Sequence, residues 1–294
     1  MMFAIRFLSI VCFIVTMAEF VHADKAPAQL AVAAVQFQPR GSVKKNTDVI
    51  IEYLERCAAQ GVRIAVFQEC SITGYDKTII RHASEEALLK SERRISTACE
   101  RLKLYAVIGT PFYSGTRLLN TAVVFDPRGE IVVRYAKIQL VGGDDWAEPG
   151  DQMVVFPVDG LPCSIIICHD ERYPELVRLP VLAGARLIFY VSSESGVKEE
   201  HKLIPYRAQI AARADENDVY IVQANAPALD SHGQSRIIAP DGNVIVEAGM
   251  FQDEMVTAVL DLTKATGATA ERSLRYGRLR DWWQEGVKMV KVLK

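Results

Sequence analysis

Residues 164–175 read SIIICHDERYPE, an apolar run that becomes a polar cluster at Cys168 and then reaches a proline. The apolar run predicts a buried strand, and Pro174 predicts the first turn of a helix. Cys168 therefore lies at a strand-to-helix turn. Helix N–H groups at such a turn lower a thiol pKa and can receive an oxyanion. This placement suits a nucleophile, although strand-end cysteines more often fill a core.

On both sides of this turn, strand-like apolar runs alternate with amphipathic helical patterns. Pro180 is expected to kink or shorten the helix that contains it. Turn sequences at 126–129 and 240–242 indicate hairpins inserted among the βα units. The sequence therefore predicts one α/β domain with mixed sheets. Strands are predicted at 30–37, 62–67, 105–109, 121–125, 131–135, 153–158, 164–168, 187–191, 219–224, 236–239 and 243–247, and helices at 46–60, 84–103, 174–183 and 204–216.

The charge balance of the 294-residue chain argues against a nucleic-acid partner. Its formal charge is −2 at pH 7, and it has no run of more than two basic residues. Binding to phosphates needs a basic patch, so a small-molecule partner is favoured.

The first 23 residues have the pattern of a signal peptide. Arg6 supplies the positive start, 7–17 an apolar run, and 21–23 an A-x-A-like cleavage site. The apolar run is shorter than the roughly 20 residues that span a bilayer, so export to the periplasm or outside the cell is favoured over a membrane anchor. No stable membrane span is expected after processing. Five cysteines would remain, an odd number that leaves at least one thiol free.

Two further polar residues follow buried strands. Glu69 comes just after the run 64–67, where desolvation would raise a carboxyl pKa toward the range of a general base. Lys137 follows the end of the strand predicted at 131–135 and could stabilise a negative tetrahedral oxygen. A solvated loop glutamate and a snorkelling edge lysine are the ordinary alternatives.

Together these segments resemble the nitrilase superfamily of carbon-nitrogen hydrolases. The strings that carry the resemblance are VFQE at 66–69 with TGY at 73–75, YAKIQL at 135–140 and ICHDERYPE at 167–175. The resemblance covers about residues 30–262. It implies a catalytic triad of Glu69, Lys137 and Cys168, with no metal or organic cofactor. It also implies a four-layer α-β-β-α sandwich of the nitrilase type, a catalytic domain at 24–270, and a homodimer or larger oligomer.

The sequence departs from the family pattern beside the triad. The family has proline, arginine, histidine and an aromatic residue or asparagine where this chain has Gln68, Ala136, Gln139 and His169. The family also carries one more structural glutamate, which cannot be aligned with a single residue. Its candidate equivalents are Asp144, Asp145 and Glu148.

The resemblance implies that Cys168 attacks an amide or N-carbamoyl carbonyl and forms a thioester. Nitrile-cleaving members usually have tryptophan and glutamate after the cysteine, whereas this chain has His169 and Asp170, so nitrile hydrolysis is the alternative. An exported binding protein without turnover is a further alternative. Arg172 is expected to pair with Glu175 or Asp170, and could instead bind a substrate carboxylate. The candidate substrate-binding residues are His169, Tyr75, Ser192 and Ser193.

The C-terminal tail, 271–294, is basic and aromatic and shows no core partner in the sequence. Packing across a subunit interface is favoured, and a solvated helix is the alternative.

Overall fold

The computed structural model describes residues 26–194, 203–228 and 231–293. The predicted signal peptide lies outside the described residues. No helix within those ranges combines the length and the apolarity needed to cross a membrane.

Two mixed β-sheets form the centre of the fold. The first has six strands in the order β12-β1-β2-β3-β4-β5, and the second has seven in the order β11-β10-β9-β8-β7-β6-β13. Strands β1, β2 and β3 are parallel, as are β7, β8 and β9, while the flanking hairpins are antiparallel. The bounds in the first sheet are β1 Gln29–Gln36, β2 Ile64–Phe67, β3 Tyr105–Ser114, β4 Arg117–Phe125, β5 Ile131–Ala136 and β12 Glu254–Asp261. Those in the second are β6 Met153–Val158, β7 Leu161–Ile167, β8 Leu187–Ser192, β9 Tyr220–Asn225, β10 Arg236–Ile238, β11 Val244–Glu247 and β13 Val290–Val292.

Helices cover the outer faces of both sheets. Ser42 and Ser84 accept backbone N–H groups at the N-termini of α1 and α3, as expected for N-cap serines. The helices are α1 Val43–Ala59, α2 Lys77–His82, α3 Glu85–Leu102, α4 Glu175–Leu182, α5 Leu203–Asp215, α6 Ala268–Arg272 and α7 Gly277–Val287. Pro180 lies inside α4, which is only eight residues long.

Three apolar layers hold these elements together. One lies between the sheets, where Val66 and Tyr135 of the first sheet face Ile167 and Phe189 of the second. Another lies between the first sheet and helices α1 and α3, and the third lies between the second sheet and helices α4 and α5. The predicted four-layer α-β-β-α sandwich is therefore confirmed.

Some elements were missed or shortened in the prediction. Strand β3 was predicted to end at Gly109, but it continues through Gly109 and Pro111 to Ser114. There it forms a tight hairpin with β4. Helix α2 and strand β12 were not predicted; β12 is antiparallel to β1 along its full length.

The C-terminal tail has a partner within its own chain. Strand β13 pairs in parallel with β6, and Trp283 and Val287 pack on the core beneath the second sheet. The sequence did not predict this partner, because a three-residue strand is too short to show an alternation of apolar and polar residues.

Candidate active site

The three residues of the predicted triad follow three strand ends that open onto one cleft. Glu69 comes two residues after β2, Lys137 directly after β5, and Cys168 directly after β7. The cleft has a volume of about 650 Å³, and Cys168 forms part of its wall. The backbone N–H of Glu69 donates to the carbonyl of Ser192 at 3.3 Å, so the glutamate loop of one sheet is tied to the other sheet.

A buried ion-pair network surrounds Lys137. Its Nζ lies 2.9 Å from Glu69 Oε1 and 2.8 Å from Asp144 Oδ2, and all three side chains are buried. Asn120 Nδ2 donates to the same Glu69 oxygen at 2.8 Å and to Asp144 Oδ1 at 3.3 Å. Tyr75 Oη also donates to Asp144. These contacts fix the ammonium between two carboxylates.

The structure selects one of the three acidic candidates for supporting the lysine. Asp144 contacts Lys137, whereas Asp145 is exposed and pairs with Lys77 and Arg81. Glu148 pairs with Arg117 at the surface. The sequence could not separate them, because the choice depends on the short 3₁₀ turn Gly142–Asp144.

The electrostatics of the network favour a basic glutamate. Burial raises the pKa of Glu69, the charge of Lys137 lowers it, and the charge of Asp144 raises it. The sum of these effects is a raised pKa for Glu69. For Asp144, burial is outweighed by the charge and hydrogen bond of Lys137, so its pKa is lowered. Burial would lower the pKa of Lys137, but Glu69, Cys168 and Asp144 raise it, so the lysine stays charged. Glu69 Oε2 is buried and has no hydrogen-bond partner among the described residues.

The nucleophile candidate has a strained backbone. Cys168 has a φ of 46°, in the left-handed region that costs a non-glycine residue free energy and that clusters at functional sites. Its thiol pKa is raised well above the usual value by burial and by the charge of Glu69, with Lys137 opposing. The resting thiol is therefore protonated, and attack on a carbonyl requires a base.

Asp170 connects the cysteine turn to the lysine strand. Its Oδ2 accepts the Tyr135 hydroxyl at 2.8 Å and the Ile167 N–H at 3.0 Å, and its Oδ1 accepts the Gln139 N–H at 2.8 Å. Burial raises the Asp170 pKa to about 6, although these hydrogen bonds oppose the shift. Asp170 is thus a positioning residue that sequence reasoning did not identify.

Two glycines permit the close backbone approach that the site needs. A Cβ on Gly109 would lie 2.4 Å from the Gln68 carbonyl oxygen and 2.8 Å from the Glu69 Cα. A Cβ on Gly150 would lie 2.4 Å from the carbonyl oxygen of Ala136, the residue before Lys137. Any side chain at either position would displace the neighbouring strand end.

Of the predicted substrate-binding residues, Tyr75, His169 and Ser193 line the cleft. Ser192 is fully buried and donates its hydroxyl to Asn225 at 2.8 Å, so its predicted place in the cleft wall is wrong.

Arg172 also differs from expectation. Its guanidinium lies 5.2 Å from the ring centroid of Tyr206, and Asp170 is already bonded elsewhere. Two residues that sequence reasoning missed, Glu171 and Glu194, line the cleft. Nothing in the sequence pattern marks them, because both follow strands that are buried on both faces.

Comparison with known proteins places this chain in a family. Residues 31–269 match the family model for carbon-nitrogen hydrolases. The chain is 27% identical over 239 residues to a hydrolase in the agr operon of Staphylococcus aureus, covering 76% of this chain and 88% of that protein. It is 26% identical over 272 residues to an omega-amidase of Xenopus tropicalis, covering 86% of this chain and 96% of that protein.

Solved structures show the same fold. A mutant of the Nesterenkonia AN1 amidase from the nitrilase superfamily matches with a TM-score of 0.76 at 24% identity, covering 86% of this chain and 97% of that one. A carbon-nitrogen hydrolase from Helicobacter pylori G27 matches with a TM-score of 0.79 at 18% identity, covering 91% of this chain and 100% of that one. The resemblance to the nitrilase superfamily is confirmed, and this chain belongs to the carbon-nitrogen hydrolase family.

Proposed function

We propose that the protein hydrolyses the carbon-nitrogen bond of small linear amides or N-carbamoyl compounds through a thioester on Cys168. The observation that carries the proposal is the buried Glu69 carboxylate, which has one oxygen fixed by Lys137 and Asn120 and the other without a hydrogen-bond partner in the part of the chain that the structure describes. A buried carboxylate with a raised pKa and a free oxygen is suited to accept the proton of a protonated thiol.

In the first half-reaction, Glu69 takes the thiol proton as the Cys168 sulfur attacks the carbonyl carbon. The oxyanion is stabilised by the Lys137 ammonium and by the backbone N–H of His169. Collapse of the tetrahedral intermediate breaks the carbon-nitrogen bond, and Glu69 returns its proton to the departing ammonia or amine. In the second half-reaction, Glu69 activates water to hydrolyse the thioester, which restores the thiol without a metal or organic cofactor.

Ammonia release tests the proposal. Purified protein is supplied with primary amides, N-carbamoyl compounds and nitriles, beside Cys168→Ala and, as a matched control, Cys57→Ala at another buried thiol. We expect turnover of amides or N-carbamoyl compounds. We also expect a loss of about 10³-fold or more in Cys168→Ala, with activity retained in Cys57→Ala. Full activity in Cys168→Ala would refute the thioester mechanism, and a nitrile preference would establish the alternative substrate class.

A covalent probe separates an activated thiol from an inert one. In a mutant of the Nesterenkonia amidase, fluoroacetamide leaves its acetamide moiety on the active site cysteine. We expect the same reagent to modify Cys168 here, as seen by peptide mapping. An unmodified Cys168 in a protein that also turns over no amide would support a binding protein without catalysis.

We also infer that the protein is exported and that it forms a dimer or larger oligomer through its tail. Tyr276, Leu279 and Trp282 on or beside α7 are more than half exposed, an apolar surface suited to a subunit contact. Light scattering on the purified protein tests the oligomer, with Trp282→Glu expected to weaken it.

A further inference from the structure

Two buried carboxyl groups lie on the cleft wall beside Cys168, and the mechanism uses neither. Glu171 belongs to the 3₁₀ turn Cys168–Arg172, and Glu194 follows β8. The two side chains line the cleft although Glu171 is only 1% and Glu194 only 2% exposed. Within the described ranges, no lysine or arginine forms an ion pair with either carboxyl group.

The two carboxyl groups share the hydroxyl of Tyr190. Tyr190 Oη lies 2.9 Å from Glu171 Oε2 and 2.6 Å from Glu194 Oε1. Because a hydroxyl has one proton, it can donate to only one of these oxygens, and the other contact requires a proton on a carboxyl group. The resting pair therefore holds at least one proton.

The surrounding charges show which group holds the proton. Burial raises the pKa of both carboxyl groups, and the charge of Glu194 raises that of Glu171 further. The buried guanidinium of Arg236 chiefly favours ionised Glu194, so the proton belongs to Glu171. The charged or titratable groups that face this pair are Arg172, Arg236, Glu69, Cys168 and His232.

One oxygen of the pair lacks a donor. Glu194 Oε1 accepts Gln223 Nε2 at 3.0 Å, but Glu194 Oε2 has no hydrogen-bond partner among the described residues. His232 Nε2 lies 3.6 Å away, which is beyond hydrogen-bond distance. Burial followed by the charge of Arg236 lowers the His232 pKa to about 4, so near pH 7 this ring carries no positive charge to pair with Glu194. Leaving a buried carboxylate oxygen unpaired is costly, and a ligand that brings a donor would remove that cost.

The remaining described lining of the cleft is mostly neutral, with one more acidic residue. Asp76 adds a carboxylate at the cleft, and no lysine or arginine of the described ranges lines it. Burial lowers the pKa of His169, with Arg172 adding to the effect, so His169 contributes no positive charge near neutral pH. An anionic substrate group would be repelled from this cleft, and a cationic group would be attracted.

We propose that this wall binds a cationic group of the substrate, an ammonium or guanidinium carried on the same molecule as the scissile amide or carbamoyl group. The cation donates to the unpaired Glu194 oxygen, while Glu171 keeps its proton and its contact with Tyr190. The inference rests on the proposed function for the choice of scissile bond, but not for the binding of the cation.

Three primary amides of matched length test the proposal by steady-state kinetics: 4-aminobutanamide, pentanamide and succinamate, each also in longer homologues. We expect the cationic amide to exceed the neutral one in kcat/KM by about 10-fold or more, because a charge-assisted hydrogen bond is formed, and the anionic amide to be the poorest. Equal rates for the three, or a preference for the anion, would overturn the inference while leaving the amidase proposal intact.

Two variants separate recognition from structure. Glu194→Gln and Glu171→Gln should each remove most of the preference for the cationic amide, by raising KM for the cationic amide more than KM for pentanamide. Glu175→Gln, in the same segment but outside the cleft, serves as the control. An equal loss for cationic and neutral amides would show that the pair is only structural.

A binding measurement gives a result even if no amide is turned over. Calorimetric titration of Cys168→Ala protein near pH 7 should show that 4-aminobutanamide binds about 10-fold or more tightly than pentanamide. If the cation binds no more tightly than pentanamide, the wall is not a cation site. If the cation binds more tightly than pentanamide but no amide is cleaved, the failure lies with the proposed function.

Discussion

The acid limb of the pH-rate profile should move when the charge of Asp144 is removed. Asp144 and Glu69 contact the same ammonium, at 2.8 and 2.9 Å, so their contacting oxygens are separated by at most the sum of these distances, about 5.7 Å. Asp144→Asn keeps the shape of the side chain but deletes one of the two negative charges. The charge of Asp144 raises the pKa of Glu69, so its removal lowers that pKa.

The size of the shift follows from Coulomb's law. Two unit charges about 5.7 Å apart, in a medium with an effective dielectric constant of about 20, repel by about 3 kcal/mol. That energy is equivalent to about 2 pH units, and partial rearrangement of the loop reduces the expected shift to between about 1 and 2 units. In the proposed mechanism Glu69 acts as a base in its ionised form, so activity should be lost as the pH falls through its pKa. In Asp144→Asn the acid limb of kcat/KM therefore moves to lower pH.

The assay is ammonia release as kcat/KM between about pH 4 and pH 9. The plateau should also fall by about 10-fold, because a less basic Glu69 removes the thiol proton less readily. Asp145→Asn is the matched control, because Asp145 is the next residue, is exposed and pairs with surface cations. The acid limb of kcat/KM in Asp145→Asn protein should therefore not move. An acid limb that stays in place or moves to higher pH, in Asp144→Asn protein with an unchanged melting temperature, would refute the assignment of Glu69 as the base.

Two further predictions concern the backbone and the hydrogen bonds that position the triad. Gly109→Ala places a Cβ within 2.8 Å of the Glu69 Cα and should lower the free energy of unfolding by about 1–3 kcal/mol, with a fall in kcat. Thermal unfolding and rate measurements check this prediction. An unchanged kcat would show that the glutamate loop tolerates displacement. Tyr135→Phe removes the only side-chain donor to Asp170 among the described residues and should cost about 1–2 kcal/mol of stability, as measured by urea unfolding. Because two backbone N–H groups still hold that carboxylate, kcat should fall less than in Gly109→Ala, and a larger fall would mean that the tyrosine orients Cys168 directly.

Sequence reasoning placed Glu69, Lys137 and Cys168 at strand ends, where the structure has them, because a buried run followed at once by a polar residue is a local pattern. It could not choose among Asp144, Asp145 and Glu148, because only the course of a short turn brings one of them to Lys137. It placed Ser192 in the cleft for a related reason. Strand β8 is buried on both faces, so its sequence has no alternation of apolar and polar residues that would show which face a residue occupies.

Strand β12 was missed because its exposed face resembles a buried one. Val259 is 64% exposed, and together with its apolar neighbours it hides the alternation that identifies an edge strand. The C-terminal strand β13 has only three residues, and its partner β6 lies more than 130 residues away along the chain. Such pairings are set by the completed sheet rather than by local propensity, so tertiary contacts decide them.

The residues that break local rules converge on the cleft. Cys168 holds a left-handed backbone, Lys137 is a fully buried cation, and Glu171 and Glu194 are buried carboxyl groups that both contact the Tyr190 hydroxyl. Each of these features costs stability on its own, so each requires a counterpart or a function. Lys137 has its counterparts in Glu69 and Asp144, whereas the free oxygen of Glu194 has none among the described residues. The unpaired oxygen is therefore the feature for which a ligand supplies the simplest physical explanation.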